Sequence, residues 1–305
     1  MMELLYWFQS IRTPVLDAIM SLVTHLGEET FFMLAALVVF WCVDKRRGYF
    51  LLTVGFVGTL INQWLKIVCR VPRPWVKDPN FSIVEAARAE ATGYSFPSGH
   101  TQSAVGYLGG IARFTDRLWL RILCIVLAVL TAISRMYLGV HTPMDVCVSV
   151  VIAVILIFAI YPIIESSLWF PNRMYAVIGG MLAFTLAYLA FVELFPFPAD
   201  VDAANLASAV KNAYTMTGSV AGVLVVYTFD SKVLQFPTRA PWWGQIVKLV
   251  VGLALTVAVK SLLKAPLLAL CGGHDLGNLI RYFLMVLVAG GLWPMSFRYF
   301  ERWAK

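Results

Sequence analysis

Apolar runs of about 20 residues, separated by short charged turns, constrain this chain more than any other feature. Each run is long enough to cross a bilayer as a helix. The chain is 60% hydrophobic and only 13% charged, where a soluble domain carries about a quarter of its residues charged. A soluble core of this length is therefore a poor alternative. The fold class expected is all-α, a polytopic transmembrane helix bundle.

Basic turns set the expected topology, because lysine and arginine favour the cytoplasmic side. Asp44-Lys-Arg-Arg47, the stretch from Arg113 to Arg121, Arg173, Lys232 to Arg239, and Arg298 with Arg302 and Lys305 mark inner ends. Between them lie spans over 30–43, 49–69, 98–113, 118–137, 146–160, 175–194, 208–229, 246–270 and 279–297. That is about nine spans, preceded by an amphipathic helix within 1–26 that lies at the interface. If that helix spans instead, there are about ten. Localisation follows as a multi-pass protein of the cell membrane.

The net charge of +7 suits cytoplasmic loops and anionic lipid headgroups as partners, not nucleic acid. No Gly-rich phosphate loop, basic aromatic strip or zinc-finger spacing points to nucleic acid. Cys42, Cys69, Cys124, Cys147 and Cys271 are scattered and odd in number, so they read as small buried hydrophobes, without a disulfide framework or metal pair. Glu3 and the absence of a basic leader argue against a cleaved signal peptide. Gly218 and Gly222 form a small-xxx-small pair that packs helices.

Three polar islands interrupt the apolar pattern: Lys66 to Pro74, Pro97-Ser-Gly-His100, and Ser134 to Asp145. Both span counts put them on the same, outer face. Titratable groups beside hydrocarbon are costly and mark function by default. Lys66, Arg73 and Arg135 supply three cations, a set suited to a phosphate. The helix opened by Pro97-Ser-Gly-His100 adds free backbone N–H groups, and Gly99 permits close approach.

His141 precedes Thr142-Pro143, a helix start, which sets Asp145 in the first turn within reach of the imidazole. A carboxylate there fixes the tautomer and frees the other ring nitrogen to attack; His100 is then placed to protonate a leaving oxygen. Taken singly, each group also fits a structural role: a snorkelling arginine, a histidine at the interface, or a carboxylate on a helix dipole. Three islands with complementary chemistry on one face do not follow from those separate roles.

Lys66 with Arg73-Pro74, then Pro97-Ser-Gly-His100, then Ser134-Arg135 with His141 and Asp145, resembles the three-part signature of the type 2 phosphatidic acid phosphatase superfamily, in residues, spacing and order. Vanadium-dependent haloperoxidases and glucose-6-phosphatase belong to the same superfamily. The resemblance implies a six-helix phosphatase core within 1–165, with 166–305 as additional C-terminal helices of unknown role. It implies His141 as a nucleophile forming a phosphohistidine, Asp145 orienting it and His100 as general acid. It implies Lys66, Arg73, Arg135, Ser98 and the N–H of Gly99 as the phosphate site, with no metal or other cofactor.

The function expected is a membrane phosphatase for lipid phosphate monoesters or polyprenyl and other lipid diphosphates, its site facing the extracytoplasmic side. A phosphatase of a soluble ester and a non-hydrolytic lipid or anion transporter are the alternatives.

Overall fold

The computed structural model describes residues 2–166 and 170–302, and every regular element among them is helical. Lys305, expected on the inner side, lies outside the described residues. The helices are α1 (Met2–Ser10), α2 (Pro14–Thr24), α3 (Glu29–Val38), α4 (Lys45–Cys69), α5 (Pro74–Lys77), α6 (Gly99–Phe114), α7 (Leu118–Tyr137) and α8 (Pro143–Glu165). They continue with α9 (Phe170–Leu194), α10 (Ala203–Phe229), α11 (Trp242–Leu262), α12 (Lys264–Leu270), α13 (Leu276–Leu287) and α14 (Phe297–Glu301).

The helices divide into two compact units. The first comprises residues up to Ala35, Leu51–Tyr161 and Asp200–Ser208; the second comprises Ala36–Phe50, Pro162–Ala199 and Ala209 onward. The units thus interleave along the chain.

Six helical stretches are long and apolar enough to cross a membrane: 45–77, 118–137, 143–165, 172–194, 242–270 and 276–301. A seventh is counted if α2 and α3, bent by 51° at a short break, act as one span. This is a multi-span membrane protein. Two of the expected spans, on α6 and α10, are not among these stretches for a physical reason. Helix α6 has only 16 residues, with Thr101 and Gln102 buried on it. Helix α10 is long but polar, carrying Asn205, Lys211, Asn212 and a run of Thr, Gly and Ser. A helix wrapped by protein need not be as apolar as one that faces lipid.

Local chemistry sets the helix starts. Asp44 Oδ1 accepts from the N–H of Arg47 at 3.0 Å, an N-terminal cap, so the expected basic turn is mostly the first turn of α4. The amphipathic stretch 1–26 becomes two helices, because Thr13 caps α2 (its Oγ1 accepts from Leu16 N) and Pro14 opens it. Helix α1 is not a lone interfacial helix. It buries Leu5 against Phe81 and Ile83, and Phe8 against Tyr137, Leu138 and Val140.

Those contacts order the long loop after α5. Arg12 Nη1 donates to Ser82 O at 2.7 Å, Tyr6 Oη donates to Asp78 Oδ2 at 2.7 Å, and Val84 N donates to Leu138 O at 3.1 Å. Within this loop Glu85–Ala87 forms a single 3-10 turn. Of the cysteines only Cys124 is buried, while Cys69 and Cys147 lie on the protein surface.

In the second unit, Asp230 accepts from Lys45 Nζ at 2.9 Å and from Phe236 N at 3.1 Å. Buried Lys248 donates to the carbonyls of Trp41 at 3.0 Å and Thr238 at 2.8 Å. Gly218 and Gly222 pack on α13, as their spacing predicts. A Cβ on Gly218 would lie 2.1 Å from Leu279 O. Gly218→Leu is therefore expected to cost about 1–3 kcal/mol or more, since a backbone cannot move aside cheaply. Thermal unfolding in detergent checks this. Gly179→Ala, where no atom lies within 4 Å of the new Cβ, should leave the midpoint unchanged or raise it.

Candidate active site

The three islands converge in the first unit, and the turn joining α7 to α8 is their centre. Gly139 adopts φ 81°, a left-handed conformation that suits glycine. A side chain there would also meet Arg12 Nη2 at 2.8 Å and the Phe81 ring at 2.9 Å. The N–H groups of Val140 and His141 then turn back to Arg135 O at 3.2 and 3.3 Å. One residue thus closes the turn with its backbone and sends its guanidinium into the site.

Helix α8 begins with a reciprocal cap. Thr142 Oγ1 accepts from Asp145 N at 3.3 Å, and Asp145 Oδ2 accepts from Thr142 N at 2.8 Å. The same carboxylate oxygen accepts from Ser95 Oγ at 2.6 Å and lies 3.5 Å from His141 Nδ1. Asp145 is 1% exposed and His141 2%, so little water competes for these groups. The pair is longer than a good hydrogen bond, yet it places a carboxylate on the Nδ1 side of the ring. On the other side, His141 Nε2 faces Arg73 Nη1 at 3.0 Å. Since guanidinium only donates, Nε2 is assigned as the acceptor and Nδ1 as the protonated nitrogen. Burial, then Arg73, Arg135, Lys66 and His100, hold the His141 ring well below the ordinary imidazole range. Neutral imidazole is the form in which a nitrogen can attack.

The start of α6 is tied to the start of α8. Ser98 N donates to Asp145 O at 3.2 Å, and Ser149 Oγ lies 2.9 Å from both Ser98 O and Asp145 O. Ser98 is the N-cap of α6, its hydroxyl oxygen taking Thr101 Oγ1 at 2.9 Å. Gly99 and His100 follow in the first turn, and His100 Nε2 is buried without a hydrogen-bond partner among the described residues.

Two of the cations also fold the loop before this helix. Arg73 donates through Nε to Gly93 O at 3.1 Å, through Nη2 to Thr92 O at 2.7 Å and through Nη1 to Val140 O at 2.9 Å. Lys66 Nζ donates to Tyr94 O. Arg135, 1% exposed, donates through Nη1 to Thr24 Oγ1 at 2.6 Å. Three cations stand near one buried carboxylate, an excess of positive charge suited to an anion. No three His, Cys, Asp or Glu side chains come together as a metal site among the described residues.

Some partners had no sequence signal. Ser95, Thr24 and Ser149 are ordinary hydroxyl residues, and only Ser95 stands beside an island. Arg88 is held at 2.7 Å by Glu85 on the surface. Lys260 lies 5.8 Å from the Tyr282 ring in the second unit.

The sequence profile of the PAP2 superfamily matches residues 46–169, and that of the PAP2 superfamily phosphatase transmembrane extension matches 214–304. The chain belongs to the PAP2 superfamily. The first profile contains every one of the residues singled out from the three islands. A probable sphingosine-1-phosphate phosphatase of Dictyostelium discoideum is 34% identical over 164 residues, 50% of this chain and 39% of that protein. Phosphatidylglycerophosphatase B of Bacillus subtilis is 30% identical over 49% of this chain and 76% of its own length. An undecaprenyl-diphosphatase of the same organism is 30% identical over 50% of this chain and 77% of its own length. The chain therefore spans well under half of the first of these relatives. No solved structure gives a significant match.

Ser95→Ala removes a hydrogen bond to a buried carboxylate, worth about 1.5–3 kcal/mol. Phosphate release by this variant is expected to fall about tenfold to a hundredfold. Assays at saturating substrate, with unfolding midpoints measured in parallel, separate that loss from instability.

Proposed function

We propose that this protein is a metal-independent membrane phosphatase acting on lipid phosphate monoesters or on polyprenyl and other lipid diphosphates. The observation that carries the reading is the orientation of His141, with a carboxylate on its Nδ1 side and Nε2 aimed among the cations. Superfamily membership and the names of the relatives support the phosphatase class. The lipid substrate is supported by a site set at the ends of apolar helices, where lipid headgroups would stand if those helices cross the bilayer.

In this mechanism Lys66, Arg73 and Arg135 bind the phosphoryl oxygens, with the N–H of Gly99 at the start of α6. Binding draws the Arg73 N–H from Nε2 to a phosphate oxygen and exposes the lone pair. The bound phosphate anion offsets the cations and favours a protonated His100; Nε2 then attacks phosphorus while the bond to the leaving oxygen breaks, and His100 donates its proton to that oxygen. Asp145 stabilises the charge gathering on the His141 ring. Water then attacks the phosphohistidine, giving its proton to His100 as the P–N bond breaks, and inorganic phosphate leaves. The cationic site needs no metal to neutralise the phosphoryl charge, and it repels one.

We place the site on the extracytoplasmic face of the cell membrane, on the positions of the basic turns. Phosphate release from a panel of sphingoid phosphate, phosphatidate, phosphatidylglycerol phosphate, undecaprenyl diphosphate and glucose 6-phosphate tests the substrate class. Release from the sugar phosphate alone would replace the lipid reading with that of a soluble-ester phosphatase.

His141→Ala is expected to lower turnover on the order of a thousandfold or more, with vanadate binding retained. Turnover near the native rate in this variant would remove His141 as nucleophile.

A further inference from the structure

Arg135 lies among the proposed phosphate ligands, but its orientation is set from outside the matched phosphatase segment. The guanidinium is buried, and Nη1 donates to Thr24 Oγ1 at 2.6 Å. Its Nε is buried without a hydrogen-bond partner among the described residues. Thr24 is the last residue of α2, only 6% exposed, and stands upstream of residue 46, where the superfamily match begins.

The bend that follows Thr24 is itself fixed to α6. Tyr107 Oη donates to Leu26 O at 2.8 Å. Gly27 lies so near that an added Cβ would be 2.7 Å from His100 O and from His100 Cβ. Residues 24–27 therefore touch both Arg135 and His100, and the backbone that carries Thr24 cannot drift from the site.

We infer that Thr24 is a positioning residue of the phosphate site. Its hydroxyl holds one amino group of Arg135, which leaves the other N–H groups of the fork to a phosphoryl oxygen. Arginine reads phosphate through a planar fork, so a lost anchor lets the fork rotate and weakens the grip on the phosphoryl group. The hydroxyl accepts from Arg135 and touches no substrate atom. The inference rests on the phosphatase reading above and deepens it.

The test compares Thr24→Val, which keeps the shape and loses the acceptor, with Thr24→Ser, which keeps the acceptor. Vanadate inhibition, KM, kcat and the unfolding midpoint are measured for each, in native and Arg135→Ala backgrounds. Thr24→Val is expected to raise the vanadate inhibition constant and KM about tenfold, the scale of one hydrogen bond to a charged group. Thr24→Ser should stay close to native. In the Arg135→Ala background, Thr24→Val should add no further loss.

Should Thr24→Val not fold, Thr24→Ala removes the same acceptor without a branched side chain. An unchanged inhibition constant with a lowered midpoint would overturn the inference, leaving Thr24 a structural residue. So would an equal loss in the Arg135→Ala background, or a tenfold loss in Thr24→Ser. Failure of the phosphatase reading looks different: the native protein would neither release phosphate from the panel nor be shifted in midpoint by vanadate.

Discussion

One buried carboxylate gathers the site. Asp145 Oδ2 takes a backbone N–H from Thr142 and a hydroxyl from Ser95, and it lies beside the His141 ring. A buried charge is tolerated only when hydrogen-bonded or paired, so these segments are obliged to meet. The Asp145 backbone adds a fourth tie, because its carbonyl accepts from Ser98 N at the start of α6. A helix cap and the orientation of a proposed nucleophile thus depend on the same few atoms.

The cations are organised by a second constraint. Arg73, Lys66 and Arg135 are drawn into low-dielectric surroundings, where bare guanidinium or ammonium is costly. Backbone carbonyls at 92–94 and 140, with the Thr24 hydroxyl, meet part of that cost. Neutral acceptors satisfy donors without cancelling charge. The positive potential therefore survives; together with burial, the larger cause, it keeps His141 neutral, and it suits an incoming phosphate. The long loop after α5 owes its order to these bonds and to α1, which buries Leu5 and Phe8 against it.

How much was legible depends on the range of the interactions. Helix α7 was read at its observed limits, Leu118–Tyr137, because a long apolar run between basic residues leaves little freedom. The start of α8 was legible from Thr142-Pro143, since capping is a local preference. The break within the first 26 residues was missed, although Thr13-Pro14 carries the same kind of signal; the amphipathic pattern running through it concealed the cap. At α6 and α10, expected as spans, length and apolarity alone do not mark a crossing, because moderate polarity does not say whether lipid or protein surrounds a helix.

The sequence by itself determined an all-α membrane protein and the three islands with their lysine, arginines, histidines and aspartate. Composition and spacing along one chain carry that much, because membrane solvation acts on each run separately and the islands keep their order. Only the tertiary structure decided which groups touch. Ser95 on Asp145, Arg73 on the Nε2 side of His141, and Thr24 on Arg135 are contacts between residues 50, 68 and 111 positions apart. Hydrogen-bond partners at such separations are chosen by packing, and a serine or threonine looks the same in sequence whether it caps a helix, faces lipid or holds a guanidinium.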